Sequence, residues 1–159
     1  MDIHNYAGHL IRRLNQISTS VFQAGMKEAG QDLTPVQFAA LNAIRQHPGV
    51  DQATVAGLIA YDRATIGGVI ERLEQKGLVA RTVSPRDRRA RELSVTDQGR
   101  ATLDSLGAVV RGLQPTILTG LDPAEQAEFL RLAAKAAEAG NSLSRAPLTV
   151  PPGLGPAQD

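Results

Sequence analysis

Arginine is concentrated in one short stretch of an otherwise charge-balanced chain. The stretch 81–91 has one acidic residue, Asp87, and five arginines: Arg81, Arg86, Arg88, Arg89 and Arg91. Five positive charges less one negative give this stretch +4, whereas the 159-residue chain as a whole carries +1. Planar guanidinium groups bind phosphate oxygens and fit the narrow, electronegative minor groove of DNA. Taken alone, such a cluster is more typical of a solvated run of charge. Because it follows two predicted short helices, described next, contact with nucleic acid becomes the favoured interpretation.

Residues 62–77 have the pattern of a helix whose two sides differ. At 100° per residue, the apolar side carries Ile66, Val69, Ile70 and Leu73, and the opposite side carries mainly small residues, namely Ala64, Thr65, Gly67 and Gly68, with Glu71 and Arg72. Each glycine inside a helix costs about 1 kcal/mol relative to alanine. Close approach to another surface, such as the floor of a major groove, is one reason to retain them. The alternative is tight helix packing inside the protein, which the position of the glycines opposite the apolar side disfavours.

Hydrophobic periodicity and capping residues predict the elements that position these two patterns. The predicted helices cover residues 5–29, 34–48, 52–59, 62–77, 97–118 and 122–140. Their predicted N-caps include Thr34, Asp51, Asp62 and Thr96, with Gln37 completing a capping box. Two short strands, 78–83 and 91–95, flank the arginine-rich turn 84–90 and form a hairpin. Pro115 is expected to kink or end the fifth helix.

The order of these elements predicts the fold. Two consecutive short helices separated by a tight turn, followed by a hairpin with a basic tip, are the plan of a winged helix-turn-helix. We therefore predict a mainly α-helical fold with a small β-hairpin wing, in which the winged helix-turn-helix spans about 34–96. Flanking helices cover about 5–29 and 97–140. Residues 141–159 contain four of the nine prolines and are predicted to form an irregular tail.

The composition excludes several classes of protein. A chain of this length is expected to form one domain. It has no cysteine, which excludes disulfides, thiol redox sensing, cysteine-ligated zinc and a cysteine nucleophile. No apolar run approaches the roughly 18–20 residues that cross a bilayer, and the N-terminus lacks the apolar core of a secretion signal. We therefore expect a soluble, cytoplasmic protein with no membrane partner.

The residues offer no convincing catalytic site. The three histidines, His4, His9 and His47, lack a base–nucleophile pairing or close ligand spacing, and no glycine-rich phosphate loop follows a strand. We therefore predict no enzymatic activity, no catalytic residue, no metal and no cofactor. A winged helix can also bind protein partners instead of DNA. That alternative predicts binding without the steep salt dependence of phosphate contacts.

The stretch 59–100, IAYDRATIGGVIERLEQKGLVARTVSPRDRRARELSVTDQGR, resembles the DNA-binding core of the MarR family of transcriptional regulators. The most specific pieces are RLEQKGLV at the end of the predicted recognition helix, D-x-R in the wing, and LSVTDQG between strand and helix. The resemblance covers about residues 5–140, and it implies a single MarR-like domain over 1–140. It also implies a sequence-specific repressor that binds double-stranded operator DNA.

This resemblance implies which residues contact DNA. Those expected near the base edges of the major groove are Arg63, Ala64, Thr65 and Gly68. Thr54, on the preceding helix, is expected near phosphate. In the wing, Arg89 corresponds to the arginine expected in the minor groove, and Arg86 and Arg88 are expected to touch phosphates.

One ion pair is also implied by the resemblance. Asp87 corresponds to the family's wing aspartate, which orients the arginine at Arg72. A desolvated pair of this kind would fix the direction of the arginine. The alternative is a surface ion pair that contributes about 0–1 kcal/mol.

Related proteins are two-fold dimers whose N- and C-terminal helices form the interface, here about residues 5–25 and 100–140. The apolar faces of these helices exceed what a core around the winged motif could cover. A homodimer would place its recognition helices about 34 Å apart, and it predicts a pseudo-palindromic operator.

Family members usually release DNA when a small molecule, often an aromatic acid, binds. Because thiol sensing is excluded, a ligand-responsive repressor or a repressor without a ligand remains.

Polar residues on the first predicted helix would suit a carboxylate on an aromatic ring: Tyr6, His9, Arg12, Arg13 and Gln16. His9 and Arg13 are four residues apart and share a face. Alternatively, the two arginines are solvated or pair within a dimer.

Three stretches of the sequence are similar to sequences of regulators of nicotinate catabolism that respond to a hydroxynicotinate: GHLIRRL, DLTPVQFAAL and VDQATVAGLIAYDRATIGGVI. This resemblance implies a pyridine carboxylate effector such as 6-hydroxynicotinate.

Overall fold

The computed structural model describes residues 2–85, 87–88 and 90–154. In chain order, the elements of these residues are α1 (Ala7–Glu28), α2 (Pro35–Gln46), α3 (Gln52–Leu58), α4 (Ile66–Gln75), β1 (Val79–Val83), β2 (Arg91–Val95), α5 (Asp97–Ile117), α6 (Pro123–Ala139) and a short 3-10 helix (Asn141–Leu143). The predicted mainly helical fold with a two-stranded wing is confirmed. None of the helices in these described ranges is long and apolar enough to cross a membrane.

The predicted helix starts are confirmed at α2, α3 and α5. The N–H of Gln37 donates to the Thr34 hydroxyl at 3.2 Å, and the Gln37 side chain accepts from the Thr34 N–H, which completes the capping box. The Asp51 carboxylate accepts from the Thr54 N–H at 2.7 Å. The Thr96 hydroxyl caps α5 in the same way. Each cap satisfies an amide that the first helical turn leaves without an intrahelical partner.

The start of α4 differs from the prediction. Asp62 accepts from the Ala64 N–H at 2.7 Å, as a capping residue would. Residues 63–65 nevertheless form a turn, and the regular helix begins at Ile66 with no side-chain cap. The preceding connection is as tight as predicted, because Ala60 adopts a left-handed backbone (φ 51°). The N–H of Tyr61 then bonds back to the Ala56 carbonyl at 2.8 Å.

The hairpin pairs the two strands in antiparallel register, from Val79 opposite Val95 to Val83 opposite Arg91. A third segment joins this sheet by an isolated bridge between Val50 and Leu93. The bridge links the wing directly to the residues before α3, and it was not predicted. Val50 is a single paired residue between Pro48-Gly49 and a helix cap, so it carries no alternating pattern that would predict a strand.

The apolar side of α4 lies at the centre of the core. Ile66, Ile70 and Leu73 are fully buried. They belong to one cluster that also contains residues of α1, α2, α3, both strands and α5, including Met26, Leu41, Ile44, Val55, Leu93, Leu103 and Leu106. Because α4 is held on this side by several elements, its opposite side has a fixed orientation toward the outside.

The flanking helices are only partly covered. α1 packs on α5, where a Cβ added at Gly25 would come within 2.8 Å of the Leu113 side chain. No residue of α6 is buried. Large apolar side chains remain exposed on α1 and α6, namely Leu10, Ile11, Ile17, Leu130 and Leu132. Pro115 lies inside α5, which ends two residues later at Ile117.

Candidate nucleic-acid interface

The side of α4 that carries small residues faces outward. Gly68 is exposed, and a Cβ added there would meet no atom within 4 Å. At Gly67 the added Cβ would lie 3.2 Å from the side-chain nitrogen of Gln52. Tight packing inside the chain therefore does not explain why position 68 is glycine, and it only partly explains glycine at position 67. Gln52 lies beside this face and was not a predicted site residue.

The turn before α4 presents its side chains at the same surface. Arg63, Ala64 and Thr65 are all exposed. Asp62 organises the turn, because its carboxylate accepts from the Ala64 N–H and its carbonyl accepts from the Thr65 hydroxyl at 3.2 Å. Thr54 lies in the first turn of α3 and is half-buried. These predicted DNA contacts therefore lie in the first turn of α3 and in the turn that precedes α4.

The N-terminus of α2 lies next to the exposed face of α4. A shallow cleft of about 330 Å³ runs between the two helices. Its lining includes Thr34, Gln37, Thr65, Gly68 and Arg72. At this end of α2 the Gln37 N–H is bonded to the Thr34 hydroxyl and Pro35 has no N–H, so the helix dipole, more than free amides, favours negative charge here.

Two of the five arginines in 81–91 are used within the hairpin. Arg81 pairs with Glu74 of α4 at 2.9 Å, and both side chains are about one-third exposed (32% and 31%). Arg91 donates to the carbonyl of Arg88 at 3.1 Å. Arg81 and Arg91 therefore have partners within the chain, and neither was among the predicted DNA contacts.

The remaining wing residues are placed only in part. Arg88 and Asp87 are exposed, whereas Arg86 and Arg89 lie outside the described residues. The expected ion pair between Asp87 and Arg72 does not occur among the ion pairs of the described residues. One ion pair that does join α4 to the wing is that of Glu74 with Arg81. This pair joins residues in different elements with no fixed sequence spacing, so no local pattern predicts it.

The polar residues of α1 lie along its first turns. Arg12 donates to the side chain of Gln16 at 3.0 Å. The His9 ring makes an edge contact with the ring of His4, and Tyr6 and Arg13 are exposed. An apolar cavity of about 750 Å³ lies on the other side of α1, between α1, α5 and α6. Its lining consists of other residues, including Ile11, Leu14, Ile117, Phe129 and Leu132.

Within the described ranges, histidines and carboxylates do not form a group of three or more that could hold a metal ion. The exposed side of α4, the turn 63–65 and the described part of the wing present Arg63, Arg72 and Arg88 together with small side chains. Their chemistry is that of small side chains and guanidinium groups.

Comparisons with known proteins agree with this geometry. Residues 31–90 match the sequence profile of the MarR family. The repressor NicR of Pseudomonas putida is 34% identical over 134 residues, which cover 84% of each chain. BpsR of Bordetella bronchiseptica, whose DNA binding is regulated by 6-hydroxynicotinic acid, has a solved structure with a TM-score of 0.79 and 31% identity, covering 87% of this chain and 97% of BpsR. The repressor CouR, solved on a 23-mer DNA duplex, has a TM-score of 0.73 and 29% identity, covering 87% of this chain and 98% of CouR.

Proposed function

Because the chain belongs to the MarR family of DNA-binding transcriptional regulators, we propose that it is a homodimeric repressor released from its operator by a small aromatic or pyridine carboxylate. Members of this family are regulators and not enzymes. The single observation that carries the DNA-binding part is the open surface at Gly68. A helix with small residues on its outer side can lie close to base edges in a major groove.

The proposed DNA contacts divide into two kinds. The first kind reads base edges in the major groove: Arg63, Ala64, Thr65 and Gly68. The second kind binds the DNA backbone or the minor groove: Thr54, Arg72, Arg86, Arg88 and Arg89. Asp87 acts as an orienting group. Phosphate contacts fix the register of a protein on the duplex, and contacts in the grooves read its sequence. The exposure of residues 63–65 supports the first set.

The proposal of a homodimer is supported by the apolar surface that one chain leaves uncovered. The N-terminal half of α1 and the whole of α6 have no buried residue, and both carry exposed leucines or isoleucines. A second copy would cover these faces. Its recognition helices would then lie about one duplex turn, roughly 34 Å, apart, which requires a pseudo-palindromic operator.

We propose that the effector binds at the polar face of α1. The side chains that would hold its carboxylate and ring are Tyr6, His9, Arg12, Arg13 and Gln16. Guanidinium groups are suited to bidentate binding of a carboxylate. The similarity to NicR and to BpsR, whose DNA binding responds to 6-hydroxynicotinic acid, supports a pyridine carboxylate.

Fluorescence anisotropy with labelled DNA from upstream of the chain's own gene tests this function. We expect specific binding that weakens by orders of magnitude between low and moderate salt. Addition of 6-hydroxynicotinate should weaken DNA binding further. Benzoate, which has no pyridine ring, is the comparison compound. Binding that is insensitive to salt would contradict DNA contact and favour a protein-interaction module. Binding that is sensitive to salt but not to any aromatic acid would contradict the effector alone.

A further inference from the structure

The described part of the C-terminal tail, residues 141–154, lies against the helix-turn-helix. It leaves α6 through a short 3-10 helix and then turns back. The Asn141 side chain closes this turn by two hydrogen bonds to the backbone of Leu148, accepting from its N–H at 2.7 Å and donating to its carbonyl at 2.9 Å. The tail therefore has a defined path although most of it lacks regular secondary structure.

The tail contacts α3 at Gly57. The N–H of Thr149 donates to the Gly57 carbonyl at 2.9 Å. A Cβ added at Gly57 would overlap the Thr149 hydroxyl oxygen and lie 3.2 Å from the Thr149 carbonyl oxygen. Gly57 is buried in the last turn of α3. The close approach of the tail is a physical reason for glycine at this position.

Apolar residues of the tail extend this contact toward α2. Leu148, Val150 and Leu154 line a groove of about 560 Å³ together with Leu58 and Ile59 of the α3 end. Three prolines, at positions 147, 151 and 152, fix φ along the segment and so reduce the entropy lost when it docks.

Docking brings a positive charge to the edge of the DNA-facing surface. The Arg145 Nε lies 3.5 Å from a carboxylate oxygen of Asp62, and the Arg145 side chain is 90% exposed. Asp62 directly precedes the exposed turn 63–65. A guanidinium has five N–H donors, so this one long contact leaves most of them available. An exposed ion pair of this geometry contributes little to stability.

We propose that the tail is an accessory DNA-binding arm in which Arg145 binds a backbone phosphate beside the start of α4. Arg145 also offsets the negative charge of Asp62, the acidic group that adjoins the turn 63–65. Without this compensation the Asp62 carboxylate would repel an approaching phosphate. The proposal depends on the proposed DNA-binding function and adds a contact outside the winged motif.

The first test compares Arg145→Ala with Arg45→Ala in the full chain. Arg45 is an exposed arginine of α2, outside the proposed dimer interface, that pairs with Asp104 at 3.0 Å, so its removal changes the net charge equally. Each phosphate contact contributes about 0.9 to the slope of log K against log salt. We expect Arg145→Ala to reduce this slope by about 0.9 per protomer, about 1.8 for the homodimer, and to weaken binding roughly 60-fold near 0.1 M salt, while Arg45→Ala leaves the slope unchanged.

The second test moves the tail without changing its charge. In Gly57→Ala the added methyl group should displace Thr149, whereas Gly112→Ala adds a methyl group on α5 where no atom lies within 4 Å. We expect Gly57→Ala to reproduce the slope change of Arg145→Ala, with the helical circular dichroism retained. The double variant with Arg145→Ala should lose no more than either single variant, because both remove one contact.

The outcomes separate this proposal from the function on which it depends. If the wild-type chain shows no salt-dependent binding, the proposed function itself fails. If the wild-type chain binds and Arg145→Ala has the same slope as wild type, the accessory arm is wrong and the function stands. A loss in Arg145→Ala that leaves the slope unchanged would assign Arg145 only to positioning the turn, which also contradicts a phosphate contact.

Discussion

Glu74 on α4 and Arg81 on β1 form an ion pair at 2.9 Å that connects the recognition helix to the wing. Both side chains are about one-third exposed, so the pair should contribute no more than about 1 kcal/mol to stability. Its importance is geometric. The pair joins α4 to the first strand of the wing, and we propose that it helps to orient the wing relative to α4.

We predict that Arg81→Ala weakens DNA binding more than it weakens the fold. The melting temperature should fall by a few degrees or less, since about 1 kcal/mol corresponds to roughly 2–4 °C in a chain of this size. Operator affinity should fall clearly, because the wing loses its fixed orientation. Calorimetry and anisotropy measure the two effects, and Arg45→Ala, another exposed arginine of a described ion pair, is the control. Equal losses in both variants would contradict a role for the Arg81 pair.

Alanine substitutions at two glycines should have opposite effects on stability. In Gly68→Ala the methyl group enters open space on a helix, so stability should rise by about 0.5–1 kcal/mol. In Gly99→Ala it would overlap the Leu78 carbonyl oxygen and lie 2.7 Å from the Val95 side chain, so stability should fall by about 1–3 kcal/mol. Urea unfolding measures both changes. If Gly68→Ala were less stable than the wild type, the outer side of α4 would have to pack against another part of the protein.

For Arg89, which lies outside the described residues, we predict a role in the minor groove. Arg89→Ala should lower operator affinity and reduce the preference for A·T-rich sequence where the wing binds, because an arginine favours a narrow minor groove. Arg88→Ala should lower the affinity for all sequences equally, as expected for a phosphate contact. Titration of duplexes that differ only at the outer positions of the site distinguishes the two. Uniform weakening by Arg89→Ala would place Arg89 at a phosphate as well.

The effector site gives a prediction independent of DNA. A pyridine carboxylate such as 6-hydroxynicotinate should raise the melting temperature of the wild-type chain, as any ligand of the folded state does. His9→Ala and Arg13→Ala should remove this shift and leave DNA binding without effector intact. Lys135→Ala, on exposed α6, is a control for lost charge. An absence of thermal shift across aromatic and pyridine carboxylates would contradict the proposed ligand class.

The sequence predicts most of the local structure because the relevant signals are local. Thr34 with Gln37, Asp51 and Thr96 identify helix starts through side chains that reach amides two or three residues away. The two-sided pattern of α4 identifies both its buried face and its outer face. Prediction is less accurate at the start of α4, where Asp62 binds the Ala64 N–H as a cap would and yet residues 63–65 remain a turn.

Contacts between distant parts of the chain are the features that the sequence does not predict. The pair of Glu74 with Arg81, the bridge of Val50 with Leu93, and the docking of Thr149 on Gly57 each depend on how separate elements pack. Charge clusters are ambiguous for the same reason. Arg81 and Arg91 look identical to the other wing arginines in the sequence, and only their neighbours in space show that they stabilise the hairpin.

The central claim is that the outer side of α4 contacts DNA, and the operator affinity of Gly68→Leu tests it most directly. The leucine side chain would project into the space that the groove floor would occupy, while the fold, checked by urea unfolding, and the oligomeric state, checked by light scattering, should match the wild type. We predict that affinity for the operator falls at least about 100-fold, toward that of non-specific DNA. A folded Gly68→Leu variant that binds the operator as tightly as the wild type would contradict the account.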